Sequence, residues 1–423
     1  MRVDKQNRNF SCPRFDEIVA DYSGAEDWPI HAKDVSTLSL DAMDSIVKSR
    51  DKSLRERWEE AKRWLNDPKM YENTRALKED RLKSICGLSE EHREKLIALG
   101  HWKDFKGHPK GYVRVFLVPE PWKSRWRVIS HTMSVNRDVD RVPGVSLPSL
   151  NDVRSSIFKG PCAACLDMAQ CFCQFELGEL VRSYFVITTN HGYFSLGRLA
   201  MGQRQSCFIA QTALEILVGE SSDRVSKLSY IDNAKLTGDK KNIVKELRSF
   251  RDRTIEAGAT FTELKDDKPL EQLVSDTVEY LGLRLDHTNK KIQLVDKVIE
   301  KLKLSISKVS TWTIRQWSNH VSILLYTYYA LRYKLGRFEQ ILKVWARVQS
   351  RAYLDPHIWD TSASSLPSLC DWTSERILNP WVDVRVDEKP SFTLITDASS
   401  SGWCGILISN TSGEHHQERF LHS

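Results

Sequence analysis

The sequence has no run of the 18 or so apolar residues that a membrane-spanning helix needs, so no helical span is expected. Its first residues, MRVDKQNRNFSCPRFDE, lack the apolar stretch of a secretory signal, and an intracellular location, cytoplasm or nucleus, is expected. Internal repeats and low-complexity tracts are absent, which sets aside solenoids and arrays. The nine cysteines, at 12, 86, 162, 165, 171, 173, 207, 370 and 404, are spaced too unevenly for a disulfide framework, and a reducing compartment suits them better. A strong charge imbalance is missing as well. The 62 basic and 56 acidic residues leave +6, which permits a nucleic-acid partner without requiring one.

What is present is an ordinary globular composition, 41% apolar and 28% charged, in a chain of 423 residues that can hold two or three domains. The first hundred residues read as charged helices. Leu54, Trp58, Ala61 and Leu65 recur at helical spacing before an Asn66-Asp67-Pro68 stop. Ser89 suits an N-cap for EEHREKLIAL, with Gly100 just past the end.

From Gly111 the period changes to two. YVRVFLV, closed by Pro119, reads as a strand, and WRVIS follows past a turn. ACLDM, YFVITT with an Asn190-His191-Gly192 turn into YFSL, and EYLGLRL read as further strands. LSYIDNAKL reads as strand, two-residue turn, strand, and a helix spans about 206–218. Strands mixed with helices and hairpins indicate an α+β domain on an antiparallel sheet. Helices return after Gln293, with Val298, Leu302 and Ile306 on one stripe and Lys297 and Lys301 on another. A Pro- and Ser-containing stretch, about 355–390, reads as a linker, and FTLITDASSSGWCGILI opens a new β segment.

Within PCAACLDMAQCFCQFEL, four cysteines surround Asp167. Zinc is disfavoured, because Cys162 and Cys165 are three apart and point to opposite faces of a strand. Asp167 ends an apolar run, and Asp232 sits at the tip of the YIDN hairpin. Nucleotidyl transfer by two metal ions requires carboxylates converging on cations about 3.5–4 Å apart, and strand ends and hairpin tips of one sheet can provide them. Hard Mg²⁺ prefers such oxygen ligands.

The order of these motifs resembles the reverse transcriptases of retroviruses and retrotransposons, of the kind followed by a ribonuclease H domain. The likeness is close over about 110–285 and again over 392–408. LDMAQCFCQFEL resembles the first catalytic motif, and GYFSLGRLAMGQRQSCFIAQ the next. YIDN stands where the family has Tyr-x-Asp-Asp, GATFTELK is the lysine-bearing motif, EYLGLRL the primer-grip strand, and RWRVISHTMSVNR the fingers hairpin. The details are similar to elements of the long-terminal-repeat or DIRS-like type.

The resemblance implies an α+β right-hand polymerase with an antiparallel palm sheet. Its divisions would be a helical N-terminal region (1–105), fingers and palm (106–290), a helical thumb (291–350), a connection (351–390) and an incomplete ribonuclease H-like segment (391–423). It implies Asp167 and Asp232 as ligands of Mg²⁺, or of Mn²⁺. Phe172 would be the ring that excludes a ribose 2′-hydroxyl. Arg127 would clamp the triphosphate, with Lys123 or Arg125 sharing the task, because a guanidinium suits bidentate phosphate binding. Gly202 and Gln203 would support nucleotide and template, Gln211 occupies a polar helix position, and Lys265 would protonate the leaving pyrophosphate. Lys297, Lys301 and Lys308 could track template–primer phosphates. The expected partners are an RNA template, a DNA or RNA primer and dNTPs.

Three departures stand out. Asn233 replaces the second hairpin aspartate, His131 and Met133 replace charged fingers residues, and Asp397 heads a ribonuclease H-like hairpin whose further carboxylates do not appear before residue 423. The competing expectation is an inactive, domesticated nucleic-acid-binding relative.

Overall fold

The computed structural model describes residues 28–74, 88–120, 123–139, 141–189, 191–264, 269–306, 312–333, 339–361, 381–384, 392–399, 402–409 and 415–420. They fall into two compact units, residues 1–289 with 294–304, and 290–293 with 305–423. Among the described residues no helix is long and apolar enough to cross a membrane.

The first unit opens with helices α1 (Leu40–Val47), α2 (Lys52–Asn66) and α3 (Glu90–Ala98). Asp51 caps α2 by accepting the Leu54 N–H at 2.7 Å, and Ser89 caps α3 by accepting from His92. Both caps satisfy N–H groups that a first helical turn leaves orphaned. The expected stripe of α2 is buried as Leu54, Trp58, Ala61 and Leu65, joined by Trp64. Each large apolar side chain so buried contributes roughly 1.5–3 kcal/mol. This stripe joins the same core as helix α4 (Ser206–Val218), so the N-terminal helices share one hydrophobic core with the sheets that follow.

Strand β1 (Trp102–Asp104) adds to the edge of β6 (Gly192–Leu196), which pairs with β5 (Val186–Thr189). Strands β2 (Arg114–Glu120) and β3 (Arg125–His131) form a separate hairpin. β2 runs through Pro119 rather than ending there. The sheet has two strands, so the nitrogen of Pro119 owes no hydrogen bond to a third. The central sheet has the order β4 (Cys162–Asp167), β8 (Asn233–Gly238), β7 (Val225–Tyr230), all antiparallel. Ala164 and Leu166 of β4, and Ala234 and Leu236 of β8, are buried in the core shared with α4 and with α5 (Lys240–Glu256). Asp167 lies directly opposite Asn233, and Cys165 opposite Lys235, so these four share the other face.

EYLGLRL is not one strand. It forms a tight hairpin of β9 (Thr277–Tyr280) and β10 (Leu283–Asp286), because Leu281 and Gly282 both take left-handed backbone angles, φ +48° and +82°. Helix α6 (Asp296–Ile306) follows, burying Ile299 and Leu302.

In the second unit, β11 (Lys291–Leu294) pairs antiparallel with β12 (Val382–Asp383), so part of the expected linker is strand. Helices α7 (Ile314–Ala330) and α8 (Glu339–Leu354) form its helical part, α7 opened by a capping box of Thr313 and Gln316. A meander of β13 (Phe392–Ser399), β14 (Gly402–Ser409) and β15 (His415–Phe420) closes the chain, with Asp397 of β13 opposite Cys404.

Candidate active site

Asp167 is the last residue of β4, and Asp232 is the second residue of the two-residue turn between β7 and β8. The first turn residue, Ile231, has φ +56°, a conformation costly for a β-branched side chain. Gln211 of α4 holds it there. Its Oε1 accepts the Ile231 N–H at 2.6 Å while its Nε2 donates to the Ser229 carbonyl at 2.9 Å. The Met168 N–H then donates to the Asp232 carbonyl at 2.7 Å, tying the end of β4 to the hairpin tip. Asp167 and Asp232, 65 residues apart in sequence, consequently line one cavity of about 540 Å³.

Each carboxylate is held. The Thr262 hydroxyl donates to Asp167 Oδ2 at 3.2 Å, and the Asp167 N–H donates to Glu263 Oε2 at 2.8 Å. The Asn233 side-chain amide donates to Asp232 Oδ1 at 2.6 Å. Burial pushes the Asp167 carboxyl above its ordinary range, and the charge of Asp232 pushes it further. Burial raises Asp232 too, opposed by the Asn233 amide.

Among the described residues no group of three or more His, Cys, Asp or Glu side chains is arranged to hold a metal. Two carboxylates nonetheless suit magnesium, which takes one or two from a protein and keeps several waters. Cys171 and Cys173 line the same cavity as protonated thiols. Burial pushes Cys173 up to about 11 and Cys171 well above the usual range, so both behave as small apolar groups.

Cationic side chains line the same cavity. Lys123, Arg125 and Arg127 reach the cavity from the β2–β3 hairpin, and Lys297 from α6. Burial, reinforced by Arg125, lowers the pKa of Lys123, with Lys297 and Arg127 adding to the effect. Glu120 answers both arginines. Its Oε2 accepts from Arg125 Nε at 2.5 Å and its Oε1 from Arg127 Nη2 at 2.6 Å. Phe172, in the 3₁₀ turn Cys171–Gln174, lines the floor and packs against the core.

Other expected residues lie elsewhere. Gly202 has φ +94°, and its carbonyl accepts from Thr132 and Asn136 at 3.0 and 2.7 Å. Gln203 is 3% exposed, and neither it nor Gly202 lines the cavity; Ala200 and Met201 do. Lys265 and Lys308 lie outside the described residues. Asp397 belongs to the second unit.

Sequence reasoning missed Glu120, His31, Thr262 and Glu263. His31 enters because Ile30 pairs with Trp126 and the His31 N–H donates to the Trp126 carbonyl at 2.6 Å. Burial, with Arg125, holds its imidazole at about 4, hence neutral at pH 7. Glu120 carried a faint signal, since a hairpin register placing it opposite Arg125 makes the ion pair foreseeable.

No family model matches the chain, and no curated protein matches it. Among solved structures it is similar to the foamy viral protease-reverse transcriptase in three complexes. With double-stranded DNA, one gives a TM-score of 0.56 at 12% identity, covering 93% of this chain and 70% of that one. A second DNA complex gives 0.54 at 14% identity, covering 93% and 83%. The complex with an RNA/DNA hybrid gives 0.54 at 13% identity, covering 93% and 54%. At such identities the likeness is one of architecture, and the chain has a reverse transcriptase-like fold.

Proposed function

We propose that the chain is an RNA-directed DNA polymerase of a retroelement, extending a primer with dNTPs. The observation that carries this reading is the single cavity that joins the carboxylates of Asp167 and Asp232, the ring of Phe172 and the cationic hairpin. The similar structures hold double-stranded DNA and an RNA/DNA hybrid, which supports a template–primer duplex as partner.

Asp167 and Asp232 would hold Mg²⁺, or Mn²⁺ in its place. The ions, when bound, make the primer 3′-hydroxyl more acidic and offset the triphosphate charge. Arg127, with Arg125 and Lys123, binds the triphosphate. Thr262 orients Asp167, while Phe172 sets the floor on which the sugar rests. In the reaction the 3′-oxygen gives its proton to solvent water and bonds to the α-phosphorus. The bond from that phosphorus to the β-phosphate oxygen breaks, and pyrophosphate leaves with a proton from Lys265.

Primer extension on an RNA template, with dNTPs and rNTPs in parallel, tests this. The expected result is extension with dNTPs that Asp232→Asn abolishes. Duplex binding without extension in Mg²⁺ or Mn²⁺ would make the chain a nucleic-acid-binding relative instead.

A further inference from the structure

Among the described residues, Glu120 is the one carboxylate bonded to Arg125 and Arg127. Strand register puts it opposite Arg125 and diagonal to Arg127, and each of its oxygens takes one guanidinium. Its side chain is 11% exposed, whereas Arg127 is 36% exposed. Glu120 thus sits inside the pair, while Arg127 keeps part of its surface toward open space. Arg127 Nε is buried with no hydrogen-bond partner among the described residues. The wall thus carries a surplus of positive charge, Lys123, Arg125, Arg127 and Lys297 against the one carboxylate of Glu120 bonded to it.

We infer that Glu120 is a positioning residue for triphosphate capture, holding the Arg125 and Arg127 guanidinium groups in the single arrangement that meets a polyphosphate in the cavity they share with Asp167 and Asp232. An unrestrained arginine has many rotamers, and ordering one on binding carries an entropic cost. A carboxylate that fixes two of them in advance removes that cost from the binding step. It touches neither nucleotide nor metal, and acts through the arginines.

This inference rests on the proposed polymerase reading, and the test separates the two. Binding of dTTP with Mg²⁺, and of inorganic tripolyphosphate, is measured by calorimetry on the full chain and its variants. Glu120→Ala should weaken both ligands about tenfold, because the lost restraint concerns phosphate recognition rather than base or sugar. Glu120→Gln, which keeps the shape and one acceptor oxygen, should fall between it and the wild type. It also serves as the informative variant if the alanine protein does not fold. In an Arg125→Ala/Arg127→Ala background, Glu120→Ala should change affinity less than twofold, since the residue then has nothing to position. A merely structural role would show the same loss in both backgrounds. Tighter binding by Glu120→Ala overturns the inference by making Glu120 a competitor of the phosphate, and unchanged binding overturns it by making the ion pairs idle. A wild-type chain that binds neither ligand overturns the polymerase reading and the inference together.

Discussion

Asn233 holds the site's chief departure from two adjacent acids. Its amide donates to Asp232 Oδ1, so it fixes the carboxylate without adding charge. Replacing that amide by a third carboxylate adds attraction for a divalent ion, on the order of a few kcal/mol before screening. Asn233→Asp should therefore lower the Mg²⁺ concentration for half-maximal primer extension, while Asp232→Asn should leave no activity. An unchanged metal requirement in Asn233→Asp would reduce Asn233 to a turn residue. Phe172 makes an independent prediction at the same scale. Phe172→Val opens the floor of the cavity, so ribonucleotide incorporation should rise with little loss of dNTP use. Discrimination ratios from parallel extension assays check it, and an unchanged ratio returns Phe172 to a packing role.

Among the elements, β8 carries the least expected side chain. Lys235 is fully buried beside the candidate site, and its ammonium donates to Ser156 Oγ at 2.6 Å and Thr237 Oγ1 at 2.9 Å, neither of them charged. Its cross-strand neighbour Cys165 is a protonated thiol, pushed by burial to about 12. Burial lowers the Lys235 pKa from 10.5 to about 8. A base whose folded pKa is depressed costs stability while it must stay charged. Between pH 8 and 10.5 the unfolded chain binds the extra proton, so stability rises with pH across that window. Lys235→Met should remove this rise and stabilise the chain at pH 7 by about 1–2 kcal/mol, since apolar replacement of a buried, unpaired charge is favourable. Denaturant unfolding across that pH range measures both. If Lys235→Met is less stable at pH 7, the hydroxyl bonds outweigh the desolvation.

At the scale of the whole molecule, the candidate site is a standing cost to the fold. Asp167 and Asp232 are both destabilised by burial, and Asp232 repels Asp167. Evolved sites commonly store such tension, and relieving it stabilises the protein at the expense of function. Asp232→Asn should raise the melting temperature in the absence of metal by about 2–4 °C for each kcal/mol relieved in a domain of this size. Mg²⁺ should raise the wild-type value by mass action and have little effect on Asp232→Asn. Thermal scans with and without Mg²⁺ decide it. A variant that melts lower than the wild type without metal would show that the pair does not repel. The proposed duplex binding should also weaken with salt, by about 0.9 log units per log unit for each phosphate that a Lys or Arg neutralises, which a salt titration of binding measures.

Much of the local structure was legible in the sequence, because helices and strands are set by residues two to four positions apart. The stripe of Leu54, Trp58, Ala61 and Leu65 made α2, and alternation made β2. Strand endings and the YIDN turn were visible as well, and they mark Asp167 and Asp232 in the sequence itself. Tertiary structure decided what stands across the cavity from them. The Met168–Asp232 bond, the Gln211 grip on a strained Ile231 and the Glu120 hold on two arginines depend on pairings set by chain crossovers and register. The same dependence moved Gln203 out of the cavity, split EYLGLRL at Leu281-Gly282 and buried Lys235. Periodicity tells a residue which face it occupies; only long-range packing supplies its neighbours on that face.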